Sequence, residues 1–235
     1  MAKRSSFSRV IDMLRALNCF YSLRDLEEVL DVPFQNLWRY VNLLSVPEEK
    51  TIEKIMSRVR ELKLIEETIG RVLSDPDVDI WSLAREPGFL RLFSLVIEEL
   101  AEGLKVDVIV PLSYYALPLA SVVAMDLETA ICPVTTYGAR SEREGFYTAH
   151  YISSRDGELR MIAIPRRSLH GRERALLIDV VVDDLNLVEA VVGVIKRAKI
   201  EEQLLVAIQM AKEVRLKLEE SKQELRIVKV FKTLQ

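Results

Sequence analysis

Three apolar runs constrain this chain more than any other feature. "VDVIVPL" (106–112), "RALLIDVVV" (174–182) and "QLLVAIQM" (203–210) show no steady alternation of apolar and polar residues. A strand with one wet face alternates. A continuous apolar run has apolar neighbours on both faces, the pattern of a parallel sheet buried between helices. Helical segments lie between the runs, near 117–127 and at "LNLVEAVVGVIKRAK" (185–199). This succession predicts an α/β fold with a mainly parallel sheet flanked by helices. "FYTAHYIS" and "LRMIAIP" are predicted to pair across a turn at Arg155-Asp156-Gly157. "TAICPV" and "ELRIVKVF" are predicted as further strands.

Residues 7–75 follow a different grammar. Phe7, Val10, Ile11, Leu14 and Leu17 recur at helical spacing. Ser22 is placed to cap "LRDLEEVL", with Asp25 in the first turn. "DVP" interrupts, and Pro33 opens "FQNLWRYVNLL". A long apolar stripe then runs from Ile52 through Leu62 and Ile65 to Val72. "SDPDVD" (74–79) marks the expected boundary: an all-α domain over 1–75 and an α/β domain over 76–235.

Two short helices joined by a three-residue turn are what a helix–turn–helix requires. Leu26, Leu30, Val32, Leu37, Tyr40 and Val41 would lock the pair together. That leaves Gln35, Asn36, Trp38, Arg39 and Asn42 facing outward. Gln and Asn pair bidentately with adenine, and Arg with guanine or phosphate. Lys3 and Arg4 would add backbone contacts from an N-terminal arm. Against this, residues 1–45 hold six basic and five acidic side chains, so little net charge is available for phosphate neutralisation. A plain helical dimerisation or protein-binding module is the alternative.

The net charge of −3 announces no global nucleic-acid field. "MAKRSSFSRVIDML" turns charged too soon for a signal peptide, and no uncharged run approaches a membrane span. Both place the chain in the cytoplasm. Cys19 and Cys132 are expected as buried thiols, and no metal or cofactor is implied. From 140 to 174 there are eight Arg and no Lys, interrupted by five acids. That stretch is either a nucleic-acid or partner face or an ordinary solvated surface.

"VPFQNLWRYVNLLSVP" resembles the helix–turn–helix of archaeal transcription regulators that carry a phosphoribosyltransferase-like domain. "KVDVIVPLSYYALPLASVVAMDL" resembles the strand, pyrophosphate loop and helix of a type I phosphoribosyltransferase. "LLIDVVVDDLNLVEAVVGVIKRAK" aligns without gaps to the family's phosphate-loop segment. In domain plan the whole is similar to the purine repressor of Gram-positive bacteria. The resemblance implies a dimeric DNA-binding regulator that is able to sense a small effector.

The loop chemistry departs from the family. Asp179 fills the first of two acid positions that contact ribose hydroxyls, and Val180 fills the second. Where small residues and hydroxyls should cradle phosphate stand Asp183, Asp184, Leu185, Asn186 and Leu187. Two carboxylates there oppose a dianion, and they suit the start of the following helix, so Asp183 and Asp184 are expected to cap it in place of phosphate. Tyr114 and Tyr115 stand in the pyrophosphate loop, where they either fill the cleft as core or stack on a planar ligand. The expectation is therefore a plugged cradle and no catalysis. An active nucleobase phosphoribosyltransferase and a non-enzymatic interaction scaffold are the other readings.

Overall fold

The computed structural model describes residues 6–135, 145–221 and 225–234. The chain divides into two compact units, Met1–Val96 and Ile97–Gln235. The division falls downstream of the proline-marked 74–79 stretch.

The first unit is helical throughout its described residues. α1 (Ser6–Leu17) buries Val10, Leu14 and Leu17 along one stripe. α2 (Leu23–Leu30) starts in a complete capping box. The Ser22 hydroxyl accepts from the Asp25 N–H at 3.2 Å, and the Asp25 carboxylate accepts from the Ser22 N–H at 2.9 Å. α3 (Phe34–Val41) follows after Asp31, which takes the left-handed backbone at φ 52°. The Lys54 ammonium holds that turn, donating to both the carbonyl and the carboxylate of Asp31 at 2.6 Å. Lys54 belongs to α4 (Glu49–Glu61).

The stripe from Ile52 to Val72 predicts one uninterrupted helix, but two are present. α4 ends at a left-handed Lys63, and α5 (Leu64–Ser74) begins afresh. The reason lies in the buried positions. Ile55 and Val59 are buried in α4, then Leu64, Thr68, Ile69 and Leu73 in α5, while Leu62 is exposed. The five-residue step from Val59 to Leu64 breaks the helical period, so a straight helix would turn one of the two sets away from the core.

α6 (Ile80–Leu83) is a single turn capped by Asp79. α7 (Pro87–Ala101) is buried on nearly every side, including Phe89, Leu92, Phe93 and Ile97. Its start packs close to the end of α1. The Phe89 ring meets Phe20, and a Cβ on Gly88 would stand 2.6 Å from the Cys19 sulfur, so only glycine fits there. Cys19 itself is exposed, contrary to expectation, because it sits just past the α1 terminus. Cys132 is buried as expected, and burial pushes its thiol up to about 11.

The second unit is built on five parallel strands: β1 (Val108–Pro111), β2 (Ala130–Ile131), β5 (Arg174–Val182), β6 (Glu202–Ala211) and β7 (Leu225–Leu234). They lie in the order β2-β1-β5-β6-β7. β5 and β6 are buried along nearly their whole length, as their unalternating sequences require. α8 (Leu117–Asp126) connects β1 to β2, and α10 (Leu185–Arg197) connects β5 to β6. α11 (Lys212–Glu220) leads towards β7. A separate antiparallel hairpin, β3 (Phe146–Ile152) with β4 (Leu159–Pro165), packs its Tyr151, Ile162 and Ile164 into the same core as α10. A short α9 (Arg166–Leu169) returns the chain to β5.

From β1 the chain moves outward to β2 on one side, and from β5 outward to β6 on the other. A crevice forms where such connections diverge, beyond the carboxyl ends of β1 and β5.

Candidate functional site

That crevice is an open cleft of about 530 Å³. Its floor is apolar, with Leu112, Val181 and Val188 among the lining. Its polar groups come from three places: the turn after β1, the end of β5, and the hairpin.

Asp179 lies deepest, only 3% exposed near the end of β5. Its carboxylate accepts from the Ser113 hydroxyl at 2.5 Å and from the Val180 N–H at 2.8 Å. Burial pushes its pKa up to about 7, because these two bonds and Arg155 only partly offset the loss of water. A group so placed exchanges a proton near neutrality.

Asp183 and Asp184 answer to the hairpin. The Arg155 guanidinium pairs with the Asp183 carboxylate, with Nε at 2.9 Å. That pairing raises the Arg155 pKa above its ordinary value. Asp184 caps α10, accepting from the Leu187 N–H at 3.3 Å. It also accepts from the Ser154 N–H at 3.2 Å and the Ser154 hydroxyl at 3.1 Å. Asn186 donates from its amide to the Ile152 carbonyl at 2.7 Å. The acids of the altered loop therefore clamp the β3–β4 turn over the start of α10. Protein cations and dipoles stand where the sequence pattern suggested uncompensated charge.

Tyr114 and Tyr115 do not plug the cleft. Tyr114 is 80% exposed and Tyr115 49%, and their rings meet edge to face at 5.8 Å on the rim. The 3-10 turn Tyr114–Ala116 aims them outward and buries only Ala116. The plugged cradle is thus corrected: the cleft is open, with aromatic edges at its mouth. Tyr151, Arg155, Arg160 and Ser113 also line or support it, and none was singled out from sequence. The Arg155-Asp156-Gly157 turn was legible, but not its docking onto residues 183–186. Among the described residues no cluster of three or more His, Cys, Asp or Glu is arranged for a metal ion.

In the first unit, Leu26, Leu30, Val32, Leu37 and Tyr40 are buried, and Gln35, Asn36, Trp38, Arg39 and Asn42 are exposed. Asn42 turns its amide back onto the Trp38 carbonyl at 2.8 Å, which takes it out of the outward row. Glu27 has a clear role: its carboxylate accepts from the Phe34 N–H at 2.9 Å and caps α3, where Pro33 supplies no side-chain cap. Lys3 and Arg4 lie outside the described residues, as do Arg140 and Arg143. No helix among the described residues is long and apolar enough to cross a membrane.

No family model and no curated protein matches the sequence. The fold does match solved structures. The adenine phosphoribosyltransferase of Giardia lamblia, solved with 9-deazaadenine, superposes with a TM-score of 0.56 at 14% identity, over 67% of this chain and 86% of that one. The enzyme of Thermoanaerobacter pseudethanolicus gives 0.56 at 14% identity, over 72% and 99%. That of Saccharomyces cerevisiae gives 0.55 at 13%, over 71% and 99%. The chain therefore contains a phosphoribosyltransferase-like fold. These matches to enzymes, together with the open cleft, overturn the exclusion of catalysis drawn from the loop sequence.

Proposed function

We propose that the protein is a DNA-binding regulator whose phosphoribosyltransferase-like unit holds a small ligand in the cleft and joins two copies. The carrying observation is the outward row of α3. Gln35, Asn36 and Arg39 face solvent while Leu37 and Tyr40 anchor the helix from behind. Such a row matches the donor and acceptor edges of base pairs in the major groove. The left-handed Asp31 and its Lys54 clamp give the turn a fixed angle. Exposed Leu43, Leu44 and Val46, just beyond α3, give the helical unit an apolar patch that would add to the contact between two copies. A dimer presents two α3 helices and reads two half-sites.

Fluorescence anisotropy of the full chain with duplex from its own upstream region tests this. Saturable binding is expected at 50 mM salt, weakening by about tenfold or more at 200 mM if about two or more phosphates are contacted. Arg39→Ala and Gln35→Ala together should cost about 2–4 kcal/mol, with relaxed sequence preference. A folded protein that binds no duplex at 50 mM salt would sink the proposal.

The ligand class follows from charge. The lining sets Arg155 and Arg160 against Asp179, Asp183 and Asp184, with Arg155 paired to Asp183, so its net charge is small. A neutral planar molecule such as a nucleobase or nucleoside suits apolar walls, phenol edges and the Asp179 carboxyl, which can bond a sugar hydroxyl. A second reading, phosphoribosyl transfer to a nucleobase, is favoured by the open cleft and by the fold shared with adenine phosphoribosyltransferases. Incubation with activated ribose diphosphate and each base, followed by chromatography for a nucleoside monophosphate, distinguishes the two.

A further inference from the structure

α8 is apolar on every side, yet only one side of it is buried. Leu119, Ala120, Val123 and Ala124 pack inward. The opposite side presents Pro118, Ser121, Val122 and Met125, spaced i, i+3, i+4 and i+7. Met125 is 77% exposed, and Tyr114, four residues before Pro118, continues the spacing from the preceding turn. No residue from Tyr114 to Met125 is charged, and the only charge on α8 is its last residue, Asp126. A helix apolar all round is ordinarily buried all round. Other exposed leucines are flanked by charge, Leu62 by Glu61 and Lys63, and Leu216 by Arg215 and Lys217. The α8 stripe has no such screen. Its one hydroxyl is already satisfied, because Ser121 donates to the Leu117 carbonyl at 2.8 Å. Covering the stripe therefore orphans no side-chain donor.

Resting on the reading that the phosphoribosyltransferase-like unit joins two copies, we propose that this stripe is the surface at which they meet. α8 of one protomer crosses α8 of its partner, antiparallel, about a two-fold axis between Pro118 and Ser121. A two-fold contact sets a patch against itself, so any charge on the patch meets its like. The α8 stripe has none to oppose, and the same lack of cations makes it a poor surface for nucleic acid. Its shape is self-complementary too. Tyr114 and Met125 are bulky ends and Ser121 is a small centre, so the backbones approach in the middle while Met125 of one protomer meets the partner's Tyr114. A thioether sulfur against an aromatic ring is a favourable pairing. Tyr114 and Met125 alone expose about 300 Å², already the size of the largest apolar patch on an ordinary monomer. With Pro118, Ser121 and Val122 between them, the stripe supplies most of the about 600 Å² per partner that a small specific interface buries. Tyr114 also lines the cleft, so a partner seated on the stripe stands at the cleft mouth, and contact and ligand act on the same ring.

Sedimentation velocity of the full chain at micromolar concentrations tests the interface. A dimer is expected, with a dissociation constant raised at least tenfold in Met125→Glu and in Ser121→Arg. Both positions are exposed, so the variants should keep the wild-type circular dichroism. Leu159→Glu, at an equally exposed apolar position on the β3–β4 hairpin, should leave the dimer unchanged. A short bismaleimide should link two copies of Ser121→Cys in a Cys19→Ser background, and absence of that link in a dimeric sample overturns the α8 crossing. A dimer that survives both α8 variants also overturns it, and leaves two copies joined through another surface. A wild-type chain that stays monomeric overturns the crossing and the joining of copies together. Flotation of such a monomer with phosphatidylcholine vesicles, abolished by Met125→Glu, assigns the stripe to a membrane surface and overturns the crossing as well.

Discussion

The two ends of α10 handle charge in opposite ways. At its start, acids and arginines neutralise one another: Asp183 with Arg155, and Asp184 with the Ser154 hydroxyl and two main-chain N–H groups. At its end, the described lining holds five cations and no acid. The first arrangement shapes a cleft before any ligand arrives and leaves it electrically quiet. The second gathers its described cations around main-chain carbonyls, with Arg197 on Thr148 and Arg166 on Phe146. The same helix thus joins a charge-balanced end to one whose described lining is cationic.

The largest test of the quiet end concerns Asp179. Its folded pKa, about 7, lies above the ordinary carboxylate value of 3.8. A carboxyl raised on folding contributes its full stability below about pH 4 and loses it progressively as pH rises to about 7. Three pH units at about 1.4 kcal/mol each give a fall of about 4 kcal/mol. Asp179→Asn cannot ionise, so its stability should stay flat over the same window. Urea unfolding of both proteins at pH 4.5 and 7.5 reads about 3 kcal/mol of this fall, the first part being lost already below pH 4.5. Equal slopes for the two would mean that Asp179 is solvated and that the cleft is wetter than its geometry implies.

Asp184→Ala comes next, with an expected loss of about 2–3 kcal/mol. The variant gives up the α10 cap and orphans two donors of Ser154 in a partly buried setting. Hydrogen exchange should locate the damage in the 153–158 turn. If exchange rises only within the first turn of α10, Asp184 is a cap alone and the hairpin holds itself.

How far the sequence foretold this contrast depends on the range of the interactions. The strands Arg174–Val182 and Glu202–Ala211 were legible because burial on both faces writes itself as an unbroken apolar run. The Ser22 cap was legible because its partner is three residues away. The break at Lys63 was missed, since a tolerant stripe of apolar residues hides a five-residue step. The capping of α10 by Asp184 was legible, because its partner is three residues away. The ties of Asp183 to Arg155 and of Asp184 to Ser154 were not, because those partners lie about thirty residues away on a hairpin whose docking no local pattern encodes. Tyr114 and Tyr115 failed similarly: bulk in a loop does not reveal which way the loop faces.

The smallest effect discriminates most sharply between the two ends of α10. Arg155→Gln removes a cation that has an acid partner, and both groups are about half to a third exposed. Solvent screening limits the loss to about 1 kcal/mol or less. Arg172→Gln removes a cation from among other cations. Relief of repulsion should leave stability unchanged or raise it by a few tenths of a kcal/mol. The two substitutions are chemically identical, so their difference isolates the surroundings. Raising the salt from 50 to 500 mM should shrink both effects towards zero, because the Debye length falls from about 14 to about 4 Å. Melting temperatures at the two salts measure this. Equal destabilisation by both variants at low salt would mean that Arg172 has a stabilising partner, and the contrast between the two ends would collapse.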